Sequence, residues 1–389
     1  MQSTSDSVAA GYNGLTEHTQ GLPADAYFDP GQYERELQRI WYRNWVYVGR
    51  SSDVARARTF RTFELGDQKL LLVRDDHGVL QGFHNTCRHR GAALCRETEG
   101  VLRTATIICP YHAWVYNLQG DLLRTSSKAL ASGFDLADYP LYKISVKEWS
   151  GFIFVALSAA PPPFETIFDV PLNRLERWPL DKLIVGHVLR KTVRSNWKIF
   201  WENYNECLHC PGVHPQLSQL VPIFGRGLLE ERDDPHWREH ADDPDPKFKG
   251  GLRGGAETWS LDGKTTGRTF PGLADADRKA GAIYMTGLPS IFLVGHIDYV
   301  RVVRLLPLGP ELCELRVEYL FSSETLADPA FDLNNVVVFT NLVMTEDAEV
   351  CELNQSGLRA APHARGVVMP EEYVIRQLHE WLRTELSRV

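Results

Sequence analysis

Apolar positions follow different rhythms along this chain. Between Trp45 and about Ile153 they fall in short runs, WVYVG, KLLLVR, GVLQGF, TIICP and GFIFVAL, broken by turn signals such as Asp76-His77-Gly78 and Gln119-Gly120-Asp121. Runs of that length between turns predict a small antiparallel β domain. Farther on, SIFLVGHIDYV, VRVVRLLPL and CELRVEYLF predict three sequential antiparallel strands of one sheet. Helical spacing marks 26–40, Trp197 to Leu208, 330–358 and 371–386, with Asp29 before Pro30 as N-cap of the first. Pro161, Pro162 and Pro163 can continue neither a helix nor a central strand, so they form a stiff connector. Residues 226–282 are rich in Gly, Asp and Arg with little periodicity and predict loops, and no internal repeat interrupts the pattern. The expected organisation is an N-terminal helical segment (1–44), a β domain (45–158) and an α+β domain (164–389) with an antiparallel sheet packed on helices.

The 389 residues are 43% hydrophobic and 24% charged, an ordinary globular balance that allows two domains. A net charge of -8 argues against nucleic acid or an anionic membrane as the main partner, because phosphate attraction needs a basic face. Stretches of about 18 uninterrupted apolar residues are missing, and Met1 to Gly21 is polar, which predicts a cytoplasmic protein. Seven cysteines scattered over a long chain do not suggest a disulfide framework, so grouped ones invite a metal reading.

Two groups stand out. Cys87-Arg88-His89 and Cys109-Pro110-Tyr111-His112 each pair one thiolate with one imidazole beside a β run. A 2Fe-2S centre with two cysteines on one iron and two histidines on the other needs this composition. Tetrahedral zinc accepts the same four donors, although zinc motifs commonly pair Cys with Cys and His with His. The second group is ENYNECLHCPGVH, 202–214. Glu202, Glu206 and His209 fall at i, i+4 and i+7 of the expected helix, and Pro211-Gly212 is expected to end it and swing His214 toward His209. Two imidazoles and one carboxylate would make the facial triad of non-haem Fe(II) oxygenases, the carboxylate coming from a distant segment. Cys207 and Cys210 read as buried packing cysteines, since a redox C-x-x-C normally opens a helix after a strand.

CRHRG and CPYHAWVYNLQGDL resemble the Rieske domain of ring-hydroxylating oxygenases, and with the 202–214 motif the resemblance extends over nearly the whole chain. It implies an antiparallel β Rieske domain inserted near the N-terminus of an α+β catalytic domain of the helix-grip, START-like kind, on which the N-terminal segment packs. Cys87, His89, Cys109 and His112 would hold the cluster. His209 and His214 would hold a mononuclear Fe(II) with Asp347, from FTNLVMTEDAEV, as the carboxylate and the adjacent Glu346 as its rival. One departure is Ala113, where the family has glycine, and a local backbone adjustment is expected there. Head-to-tail trimers in the family carry electrons between subunits, so Glu206 is expected to link His112 of one subunit to His209 of the next. The family uses aspartate at that position, a second departure, and a plain helix-surface charge is the alternative for Glu206.

No G-x-G-x-x-G fingerprint occurs, so NAD(P)H and flavin would act through a separate reductase carrying flavin and an iron-sulfur centre. The glutamate-bearing motif resembles the branch acting on betaines and other quaternary ammonium compounds, which points to oxidative N-demethylation of a compound such as glycine betaine. Hydroxylation of an aromatic acid is the alternative, and a cluster-only electron carrier is a third. A trimethylammonium group favours aromatic faces, for which Trp201, Tyr204, Trp259, Tyr284 and Phe292 are candidates, although aromatics on sheets and helices are more often core.

Overall fold

In the computed structural model, which describes residues 10–388, the expected β runs pair into antiparallel sheets. The first nine residues of the polar N-terminal stretch lie outside the described residues. The chain forms two units. One comprises Ile40–Ile167 with Leu288–Ser290; the other comprises the described residues up to Arg39, Phe168–Gly287 and those from Ile291 onward.

The first unit is all β. Leu80–His84, Gln68–Arg74, Thr59–Leu65 and Glu99–Val101 form a four-stranded sheet in that order. Thr106–Ile108, Val115–Asn117 and Leu122–Arg124 form a second sheet, and Ser145–Trp149, Phe152–Ala156 and Val46–Arg50 a third. Alternation in these strands buries Phe60, Leu71, Val73, Phe83, Ile107 and Tyr116 in one core. The Gln119-Gly120-Asp121 turn needs its glycine, which takes a φ of +94° where an added Cβ would meet the Phe83 ring at 2.5 Å.

The second unit is α+β. Its sheet runs Ile184–Val193, Leu312–Phe321, Val300–Gly309, Ile291–Gly295, Ile283–Gly287. The three expected strands are its central members, and the two outer ones escaped the sequence reading. Ile184–Val193 is partly exposed along most of its length and lacks a clear alternation, and Ile283–Gly287 has only five residues. The long helix Leu333–Gly357 starts where the Asp332 carboxylate accepts from Asn334 N at 3.0 Å. Thr19–Pro23 pairs with Arg365–Val368, joining early and late parts of the chain.

The first predicted helix begins later than expected. Asp29 does cap it, accepting from Gln32 N at 2.6 Å, but the α-helix is Pro30–Glu36, preceded by a 3-10 turn and continued by a π-helical turn, Leu37–Trp41. Its Glu36 is buried and holds the equally buried Lys198 at 2.7 Å, a pair whose separation would strand a charge. Among the described residues no helix is long and apolar enough to cross a membrane.

Candidate active site

Cys87 and Cys109 sit in loops that follow strands of the β unit, and short backbone bonds hold each loop. Cys87 N donates to Ala92 O at 2.8 Å, and Cys109 N to Trp114 O at 2.8 Å. Both thiols are buried, whereas His89 is exposed and His112 half-buried. The two imidazoles lie 4.7 Å apart between centroids, and His89 stacks on Trp114 at 4.8 Å. The Tyr116 hydroxyl lies 3.2 Å from Cys87 Sγ and accepts from Arg88 N at 3.1 Å. Among the described residues, only His209, His214 and Asp347 bring three donor atoms within 4.8 Å of one another. The Cys/His loops therefore spread their donors wider than a single-ion site, which fits a two-iron group better than zinc. Ala113 takes a φ of +55°, the left-handed conformation that glycine adopts freely. The loop keeps the glycine-like backbone in place of the expected adjustment, and the alanine carries the strain.

The helix of the second motif stops earlier than predicted, at Tyr204 with Asn205 as C-cap. Glu206 and His209 thus lie beyond it, and the shared-face geometry does not hold. Glu202 points elsewhere, accepting from Tyr27 OH at 2.6 Å and facing His379 Nε2 at 2.8 Å. Pro211 and Gly212 do not end that helix either; they belong to a separate turn, Cys210–Val213, flanked by the two histidines. Cys207 and Cys210 are buried as expected but joined in a disulfide, a correction to their reading as packing thiols.

That short turn brings the imidazoles to 5.1 Å between centroids, and the long helix supplies carboxylates from the other side. Asp347 Oδ1 lies 2.9 Å from His214 Nε2 and 3.4 Å from His209 Nε2. Glu346 meets the opposite nitrogen, His214 Nδ1, at 2.8 Å, and Glu206 meets His209 Nδ1. Rivals in the sequence, Asp347 and Glu346 take opposite edges of one ring. With each Nδ1 held by a carboxylate, both Nε2 atoms converge on Asp347, a donor set and orientation that fit Fe(II). In the metal-free chain burial opposes the imidazolium at His209, but hydrogen bonds to Asp347 and Glu206 outweigh it and raise its pKa to about 9.

Beside this cluster opens a cavity of about 410 Å³, within the usual small-molecule range. Val343, Met344 and Asp347 line it from the long helix, and Tyr284, Thr286, Phe292 and Arg301 from the sheet. Tyr204 stacks on Phe292 at 4.0 Å, and Trp259 meets Tyr284 edge-on at 6.4 Å. Trp201 does not line the cavity; it is fully buried behind it, against Tyr204 and Phe292.

Comparison with known families places this geometry. Residues 171–388 match the family described as ring hydroxylating alpha subunit (catalytic domain), and 44–140 match the Rieske [2Fe-2S] domain. The chain belongs to the ring-hydroxylating oxygenase alpha-subunit family. It is a Rieske-type oxygenase, whose cofactors are a Rieske 2Fe-2S cluster and a mononuclear iron. It is similar to the glycine betaine monooxygenase oxygenase subunit of Chromohalobacter salexigens, 28% identical over 89% of this chain and 81% of the relative. The chloroplastic choline monooxygenase of Beta vulgaris is 27% identical over 94% and 77%. Among solved structures, the quaternary ammonium Rieske monooxygenase CntA superposes with a TM-score of 0.71 at 18% identity over 99% of both chains. Naphthalene 1,2-dioxygenase from Rhodococcus sp. gives 0.68 at 18% over 95% of both, so the fold is shared across different chemistries.

In this oxygenase the sequence reading missed the residues that hold the donors in place. Trp114 and Tyr116 back the cluster loops, and Glu346 orients His214. The alternation of WVY after His112 signals the first two; the third needs the fold.

Proposed function

We propose that this oxygenase hydroxylates an N-methyl carbon of a quaternary ammonium compound, with glycine betaine the leading candidate. Insertion of one oxygen atom into a C-H bond of an N-methyl group, with the second leaving as water at the expense of two electrons and two protons, gives a hemiaminal. That product breaks its C-N bond to release formaldehyde and the tertiary amine. The observation that carries the reading is a cavity walled by Tyr204, Phe292, Trp259 and Tyr284 that opens onto the two histidines and Asp347. Each aromatic face is worth about 0.5 to 2 kcal/mol to a desolvated cation. The similarity to betaine and choline monooxygenases supports the same substrate class.

In this reading His209, His214 and Asp347 hold the mononuclear iron, Cys87 and Cys109 bind one iron of the cluster, and His89 and His112 the other. The mononuclear iron, when bound, supplies dioxygen activation with electrons received through the cluster. Glu206 positions His209 and, in a trimer, carries the link from His112 of a neighbouring subunit. NAD(P)H serves through a separate flavin and iron-sulfur reductase, in the cytoplasm. Oxygenase mixed with a compatible reductase, NADH, dioxygen and glycine betaine is expected to release about one formaldehyde per NADH. No oxygen uptake across several betaines, with uptake on aromatic acids, would transfer the proposal to ring hydroxylation.

A further inference from the structure

The cavity wall contains a guanidinium that forms no ion pair with any described residue. Arg301 lies on the central strand Val300–Gly309, 5% exposed, and is one of the residues lining the cavity. Its register neighbours, Val294 on one side and Tyr319 on the other, bring no acid beside it. Two other inward-facing arginines of the same sheet are paired: Arg304 with Glu314 at 3.0 Å, Arg316 with Glu318 at 2.7 Å. Arg301 makes no ion pair with any described residue, and its Nε has no hydrogen-bond partner. Its guanidinium carbon stands 5.4 Å from the centroid of the Trp259 ring. Burying a guanidinium without a counter-charge is costly, and Arg cannot escape by losing its proton. A planar fork of donors, backed by an indole and open to a cavity, is built for an oxyanion.

We infer that Arg301 is the anion-binding residue of the cavity, so that the substrate carries a carboxylate in addition to the group attacked beside Asp347. The cation part of the argument rests on the quaternary ammonium reading; the anion part does not. A zwitterion then fits both ends, its ammonium among Tyr204, Phe292 and Tyr284 and its carboxylate on Arg301. A cation without an acid group leaves Arg301 unpaired, with the cavity's carboxylates Asp169 and Glu230 lying on other parts of the wall. Arg301 therefore decides between the betaine-like and choline-like substrate types.

The test is a binding series on the purified oxygenase by calorimetry, with glycine betaine, its neutral-ended methyl ester and choline. The expected result is at least ten-fold tighter binding of glycine betaine than of either carboxylate-free cation. Arg301→Gln is expected to erase that preference by weakening glycine betaine alone, and Arg301→Lys to restore part of it. The ligand series on the unaltered protein stands even if a variant fails to fold. Equal affinity for all three ligands overturns the inference, as does an Arg301→Gln variant that folds and binds glycine betaine as tightly as before. If no betaine binds but an aromatic carboxylate does, in an Arg301-dependent way, the quaternary ammonium reading falls while Arg301 keeps its role.

Discussion

The two metal-binding regions of this protein solve opposite problems. In the β unit the sulfurs are buried and the imidazoles lie nearer the surface, His89 exposed and stacked on Trp114. In the catalytic unit both imidazoles are drawn inward, His214 almost completely, and each Nδ1 is held by a carboxylate. A centre that exchanges electrons with other proteins benefits from ligands at the boundary, whereas one that admits dioxygen and a small substrate needs its ligands fixed and its water limited. The difference teaches that the same residue type, histidine, is left at the surface in one place and braced by carboxylates in the other.

Removing a ligand from the inner site is expected to have the largest effect. Asp347→Ala should lower the iron content from about three to about two per chain and reduce turnover by more than about 100-fold, while the cluster's visible spectrum persists. A variant that keeps its third iron would show that Asp347 is not a ligand. The braces come next. Glu346→Gln should weaken mononuclear iron binding by roughly 10- to 100-fold, read by chelator competition, as outer partners of metal-binding histidines do. Glu206→Gln, which alters the matching brace on His209, should weaken iron binding in the same way and, with both metals loaded, uncouple NADH oxidation from product; full coupled activity would remove its bridging role. The smallest effect belongs to the outer site. Ala113→Gly should relieve the left-handed strain and stabilise the β unit by under about 1 kcal/mol in denaturant unfolding, with the cluster spectrum unchanged.

The same contrast governs how much could be read before folding. The cluster motif is visible because each half packs a thiol and an imidazole within a few residues of one loop. His209 and His214 were visible for the same reason, but Asp347 comes from a distant helix and was reached through family resemblance alone. Periodicity cannot say which of two adjacent acids faces a ring, and here both do. The helix end at Tyr204 was missed because Glu206, Cys207 and Leu208 continue a helical pattern that the backbone abandons at Asn205. Arg301 stood in plain view in VRVVRLLPL, but only the folded sheet reveals that no acid was placed beside it.

The pairing of Thr19–Pro23 with Arg365–Val368 sets an order in time. A ribosome completes every strand of the β unit while the early strand still has no partner, and Asp347 is added to the chain long after His214. The Cys/His loops can thus fold early in synthesis, whereas the cluster of His209, His214 and Asp347 comes together only after every strand of the second unit's five-stranded sheet has been made.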